Sequence, residues 1–201
     1  MNAYTQATFQ AVADAIVPWG KQPGRYPIAA FVRQQIDHSQ FVPPDTDPSH
    51  PIEPLSLSTA KLLDVGAAAL IERGLTIHPI RNGQFPGGGL FASLARIDRL
   101  RVIALLNQSA VPMDAMPSLY RDNPGLVLTM MDSLHQLTMF GYDSEWFGYG
   151  TTRLLPPNDQ RVEYFPPSWC QTGYPGPAFG YRALRCGSLP PMRSGGDDHR
   201  E

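Results

Sequence analysis

The chain has 201 residues, 42% of them hydrophobic and 17% charged, with a formal net charge of −2. That length fits one domain, or one domain with a long extension, and the absence of a basic patch argues against nucleic acid or an anionic membrane as partner. No apolar run reaches the length of a membrane span, and proline, at 21 residues, is about twice as frequent as usual.

Residues 5–17 carry Phe9, Val12, Ala13, Ile16 and Val17 at i, i+3, i+4, i+7 and i+8, the stripe of an amphipathic helix. Pro18 ends it. Asp14 lies beside the stripe and reads as a solvated or capping carboxylate. Pro27 can open a second helix, in which Ile28, Phe31, Val32 and Ile36 repeat with helical spacing up to about Ser39. Residues 41–57 hold five prolines and read as a binding loop or a mobile one. Ser58 is the expected N-cap of a third helix built on Leu62, Leu63, Val65, Leu70 and Ile71, with Gly74 as its stop.

Residues 75–89 form a second loop ending in QFPGGG, which reads as flexible. Gly87, Gly88 and Gly89 do not make a phosphate loop, because the Lys-Ser/Thr that would follow is missing. A fourth helix is expected over 90–107, with Leu94, Ile97, Leu100, Ile103 and Leu105 or Leu106 inward. Arg96, Arg99 and Arg101 then give it a basic outer side, either solvated or a docking strip for an acidic partner. Pro112 and Pro117 limit residues 111–121 to a turn of helix. Asn123 and Pro124 open a fifth helix as N-cap and first residue. It turns Val127, Met130, Met131, Leu134 and Leu137 inward and runs to Phe140, with Gly141 as its end.

Residues 142–181 hold ten of the chain's twenty aromatics: Tyr142, Trp146, Phe147, Tyr149, Tyr164, Phe165, Trp169, Tyr174, Phe179 and Tyr181. The same stretch is interrupted by Pro156, Pro157, Pro166, Pro167, Pro175 and Pro177, so it cannot be a long helix. It is too apolar for a solvated linker. It reads as an ordered, extended arm whose rings lie on the chain's own helices or on another protein. The fold class is therefore all-α: an irregular bundle of four to five helices over residues 1–141, an extended aromatic arm over 142–192, and a disordered tail over 193–201.

Chemistry is sparse. The histidines at 38, 50, 78, 135 and 199 show no ligand spacing. Asp132 and His135 can touch at i, i+3, but Ser133 faces another side of that helix. No G-x-S-x-G elbow, G-x-G-x-x-G turn or repeated Glu-x-x-His occurs. Cys170 reads as a buried thiol, a bridge to Cys186 or a bridge to a partner; a nucleophilic role would need a base from elsewhere in the fold. Met113, Met116, Met130, Met131 and Met139 read as core filler or as an adaptable binding surface.

Two phrases carry a family resemblance. One is FQAVADAIVPWG, in which an Asp-Ala-Ile-Val-Pro phrase ends the first helix. The other is QTGYPGPAFGYRAL in the arm, preceded by FGYG. Together they resemble the gluconate 2-dehydrogenase subunit 3 family, the small subunits of flavin-dependent dehydrogenases of the glucose-methanol-choline type. The resemblance implies a subunit without an active site or cofactor of its own. It would bind the large FAD-carrying subunit and support its maturation, in a hetero-oligomer. It marks Asp14, Pro18, Gly173, Tyr174, Pro175, Gly176 and Pro177. The family often carries a twin-arginine leader, and no such pair lies near Met1. The expected location is cytoplasmic as the sequence stands, or exported if a leader has been removed.

The expected partner surface is Trp146, Phe147, Tyr149, Tyr164, Phe165, Trp169, Cys170, Gly173, Tyr174, Pro175, Gly176, Pro177, Phe179 and Tyr181. Pro-stiffened aromatic segments lose little entropy on docking. The competing expectation is a small stand-alone enzyme using Cys170 or the Asp132/His135 pair.

Overall fold

Helix α1 (Ala3–Ile16) is packed against α2 (Ile28–Ser39), α3 (Leu55–Glu72), α4 (Leu90–Ser93) and α5 (Arg96–Asn107). Its sequence explains that position. Ala7, Ala11, Ala13 and Ala15 are all buried alongside Phe9 and Val12, so small side chains let neighbours approach on several sides. Asn2 caps its start by accepting from the Tyr4 N–H at 3.1 Å. Val17 leaves the helix at φ −81, ψ 131, the extended geometry expected of a residue before proline.

The computed structural model describes residues 2–17, 28–40, 53–81, 83–153, 155–156, 158–163 and 167–174. Every regular element among them is helical. After α5 come a 3-10 turn (Met113–Ala115), α6 (Ser118–Arg121), α7 (Pro124–Asp143), a 3-10 segment (Glu145–Thr152) and α8 (Pro167–Thr172). The chain divides into two compact units, Met1–Gly141 and Tyr142–Glu201. No helix among the described residues is long and apolar enough to cross a membrane. Residues 41–52 of the proline-rich loop and the tail 193–201 lie outside the described residues.

Several sequence expectations need correction. Helix α3 starts at Leu55, ahead of Ser58, because side chains of α2 and of the residue after it cap it from a distance. Asp37 accepts from the Ser56 N–H at 2.9 Å and from its hydroxyl at 3.0 Å, and Gln40 accepts from the Leu55 N–H at 3.0 Å. Ser58 instead donates to the Glu53 carboxylate at 2.7 Å. The other end matches the expectation. Gly74 takes φ 64, its N–H bonds to Ile71 O at 2.8 Å, and the Leu75 N–H reaches Leu70 O at 3.0 Å, a Schellman stop.

The expected helix over 90–107 is two helices, broken by extended backbone at Leu94 and Ala95. The break rotates the inward stripe of α5 onto Asp98, Arg99, Val102, Leu105 and Leu106, leaving Ile97 and Leu100 exposed. Helix α7 runs past Gly141 to Asp143. Its start matches: Asn123 Oδ1 accepts from the Leu126 N–H at 3.0 Å. Val127, Met130, Met131 and Leu134 are buried on it, as is Met116 in the loop before it. Near its end, exposed Phe140 stacks on buried Phe31 of α2 at 5.9 Å.

Two close approaches lock the first unit. A Cβ on Gly66 would sit 2.9 Å from Val102 Cγ1, so α3 and α5 meet there without a side chain between them. A Cβ on Gly89 would overlap the Asp64 carboxylate. That carboxylate accepts from the Phe91 N–H at 2.8 Å, closing the start of α4, and from the Tyr4 hydroxyl at 2.7 Å. Burial, reinforced by Asp64, pushes the Tyr4 hydroxyl pKa up. The QFPGGG segment is thus packed at its glycine end, contrary to its flexible appearance in sequence.

Candidate functional site

The residues singled out in the arm occupy different kinds of position. Tyr149 lies on the 3-10 segment and donates to Glu145 at 2.8 Å. Trp146 and Phe147 share that segment, and Cys170 lies on α8; the side chains of all three lie outside the described residues. Trp169 is buried and meets Tyr174 edge to face at 4.9 Å. Gly173, at φ 67, ends α8 and lets the Tyr174 N–H turn back to Trp169 O at 3.0 Å. Tyr164, Phe165, Pro175, Gly176, Pro177, Phe179 and Tyr181 lie outside the described residues.

The described part of the arm is not extended. Glu163 accepts from the Thr151 N–H at 3.0 Å and from its hydroxyl, and the Glu163 N–H donates to Gly148 O at 2.7 Å. These bonds fold residues 160–163 back on the 3-10 segment, and the Thr151 bonds hold the Glu163 pKa below its ordinary value. A proline at the first position of α8 is a helix-start signal that the expectation of an extended arm passed over.

Asp132 and His135 both stand exposed on α7. No group of three or more His, Cys, Asp or Glu side chains able to hold a metal occurs among the described residues.

The main surprise is Arg99, expected on a basic outer face. It is wholly buried. Its guanidinium donates to Asp14 Oδ2 at 2.7 Å, Ala11 O at 2.9 Å, Leu94 O at 2.9 Å and Gln84 Oε1 at 3.1 Å, and it lies 4.8 Å from the Phe85 ring centroid. Burial lowers the Arg99 pKa, and the Asp14 carboxylate opposes that fall. One side chain thereby joins α1, α5 and the loop between α3 and α4. Asp14, marked by the family resemblance, is the counter-ion of that brace rather than a solvated or capping group. Arg96 braces the same region: its guanidinium donates to Ala15 O and Val17 O, the carbonyls at the end of α1.

Asp98 is buried beside Arg99 but points its oxygens the other way. They accept from the Ile77 and His78 N–H groups at 2.8 and 3.0 Å. The far end of this loop is fixed by the Arg81 N–H, which donates to Ser93 O at 2.8 Å. The loop exposes the Ile77 (58%) and Ile80 (46%) side chains, and α5 exposes Ile97 (43%) and Leu100 (37%). His78, Arg81, Ala95, Arg96, Ile97 and Leu100 line an open groove of about 460 Å³. Sequence reasoning missed this surface because it assigned Ile97 and Leu100 to the core. Starting the helix at Arg96, with Asp98 as an acid in its first turn, would have set the stripe on Val102, Leu105 and Leu106.

No protein-family model, curated protein or solved structure matches the chain.

Proposed function

We propose that the chain is a non-catalytic small subunit of an FAD-dependent oxidoreductase complex, which binds and stabilises the large catalytic subunit and assists its maturation. The flavin belongs to the partner. The likeness of the first-helix and arm phrases to gluconate 2-dehydrogenase subunit 3 supports the choice of partner. The observation that carries the docking role is the set of exposed apolar side chains, Ile77, Ile80, Ile97 and Leu100, on a loop and helix fixed from beneath by Asp98. Apolar groups held in place before binding lose less entropy when a partner covers them. An obligate interface of this kind buries on the order of 2,000 Å² or more.

Co-expression with a large FAD-dependent oxidoreductase of the glucose-methanol-choline type from the same genome tests the reading. The two should co-elute, and the flavoprotein made alone should recover with less bound FAD. Ile97→Ser with Leu100→Ser should abolish assembly and truncation after Gly141 should weaken it, whereas Cys170→Ser and Asp132→Asn should leave turnover intact. A flavoprotein that is fully loaded, stable and active without this chain, and never co-elutes with it, rules the role out.

A further inference from the structure

The groove between the 77–81 loop and α5 has a definite chemical character. Its apolar lining comes from Ala95, Ile97 and Leu100, and its polar lining is cationic or imidazole, from Arg81, Arg96 and His78. No carboxylate lines it among the described residues. The nearest acid in sequence, Asp98, is buried, with its oxygens occupied by the Ile77 and His78 N–H groups. The surface therefore offers hydrophobic anchor points flanked by positive charge, on a chain whose net charge is slightly negative.

We infer that this groove is a docking site for an amphipathic, acid-bearing segment of a partner polypeptide, seating apolar side chains on Ile97 and Leu100 and carboxylates against Arg81 and Arg96. Three observations carry it. The charge of the lining selects a carboxylate-bearing occupant over a neutral or basic one. Both ends of the loop are hydrogen-bonded in place, so His78 and Arg81 are presented on backbone that needs little ordering at binding. The apolar centre with arginine around it has the composition of a protein interface core. A lipid surface or a nucleic acid would need a broader positive field than two arginines on a chain of net charge −2 provide. This site is on the helical unit and does not depend on the partner carrying flavin.

The test uses the full chain and a fluorescein-labelled synthetic helix of about fifteen residues, leucines on one face and glutamates on its flanks. Anisotropy at low salt should show saturable binding, weakened about tenfold when the glutamates are replaced by glutamines. Arg81→Glu should weaken the glutamate peptide about tenfold and make a lysine version of it the better ligand. Ile97→Ser and Leu100→Ser, both at exposed positions, should each weaken binding by about tenfold while leaving the thermal midpoint unchanged. The inference is overturned if none of the peptides binds, or if the glutamate and glutamine peptides bind alike. It is equally overturned if Arg81→Glu has no effect, or if phosphatidylglycerol-containing vesicles or single-stranded RNA bind through Ile97 and Arg81 while the peptide does not.

Discussion

Arg99 and Asp14 meet at 2.7 Å across 85 residues of sequence, and the arginine's side chain has no exposure at all. A guanidinium in that setting is tolerable only because its charge and its donors are answered on several sides. Asp14→Ala should therefore cost about 3–5 kcal/mol in urea unfolding, since it strands a buried cation. Arg99→Met combined with Asp14→Leu should recover most of that loss. An Asp14→Ala protein as stable as the parent would show that Ala11, Leu94 and Gln84 suffice to hold the charge.

Gly66 sets the spacing of α3 and α5. Alanine is intrinsically the better helix residue by about 0.5–1 kcal/mol, but its methyl would press on Val102 and Leu106. Overpacking of this sort costs about 1–3 kcal/mol, so the steric effect wins and Gly66→Ala should be net destabilising. Pairing it with Val102→Ala should return part of the loss, which a double-mutant cycle in urea would reveal.

Tyr120 should make the fold sensitive to alkali. Burial pushes its hydroxyl pKa up to about 12, with the Thr59 hydroxyl, 2.8 Å away, pulling the other way. The unfolded chain ionises Tyr at about 10, so folding favours the neutral form. Stability from this group is full below pH 10 and is lost as pH rises from there to about 12, a change on the order of 2–3 kcal/mol. Tyr120→Phe should flatten that part of the profile and cost about 1 kcal/mol at neutral pH. A variant with the same alkaline slope as the parent would assign the effect to other tyrosines, Tyr4 first.

The helices were legible where local signals set them. The stripe of α1, the glycine at 74 and the Asn123-Pro124 start are all written within a few residues of the features they produce. What sequence could not show is where the acids go. Asp37, Asp64 and Asp98 each cap backbone N–H groups far along the chain, and Asp14 answers Arg99. Such bonds leave no spacing rule, so the local pattern starts α3 at Ser58 and joins α4 to α5. A continuous helix puts Arg99 on the wrong face, and Ile97 and Leu100 with it. The candidate groove was hidden by the same phase error, although the idea of a basic strip facing an acidic partner was present in Arg96.

Removing Asp98 should loosen the groove before it loosens the fold. Asp98→Ala leaves the Ile77 and His78 N–H groups without their acceptor, at about 1–3 kcal/mol for each one that stays buried. Hydrogen exchange should quicken at Ile77 and His78 well ahead of the amides in α1 and α3. Exchange that speeds up uniformly instead would mean that Asp98 supports the whole unit rather than the loop.

The bond from Tyr4 to Asp64 spans 60 residues, and the same carboxylate also holds Phe91. During translation α1 is therefore made well before Asp64 and Arg99, the side chains that hold its Tyr4 and Asp14. Nascent chains stalled short of Arg99 should be cut readily by protease within residues 3–16, and those extended past α5 should resist. Helix α1 thus waits for its later-made partners Asp64 and Arg99, which places the risk of misassembly in synthesis rather than in the finished protein.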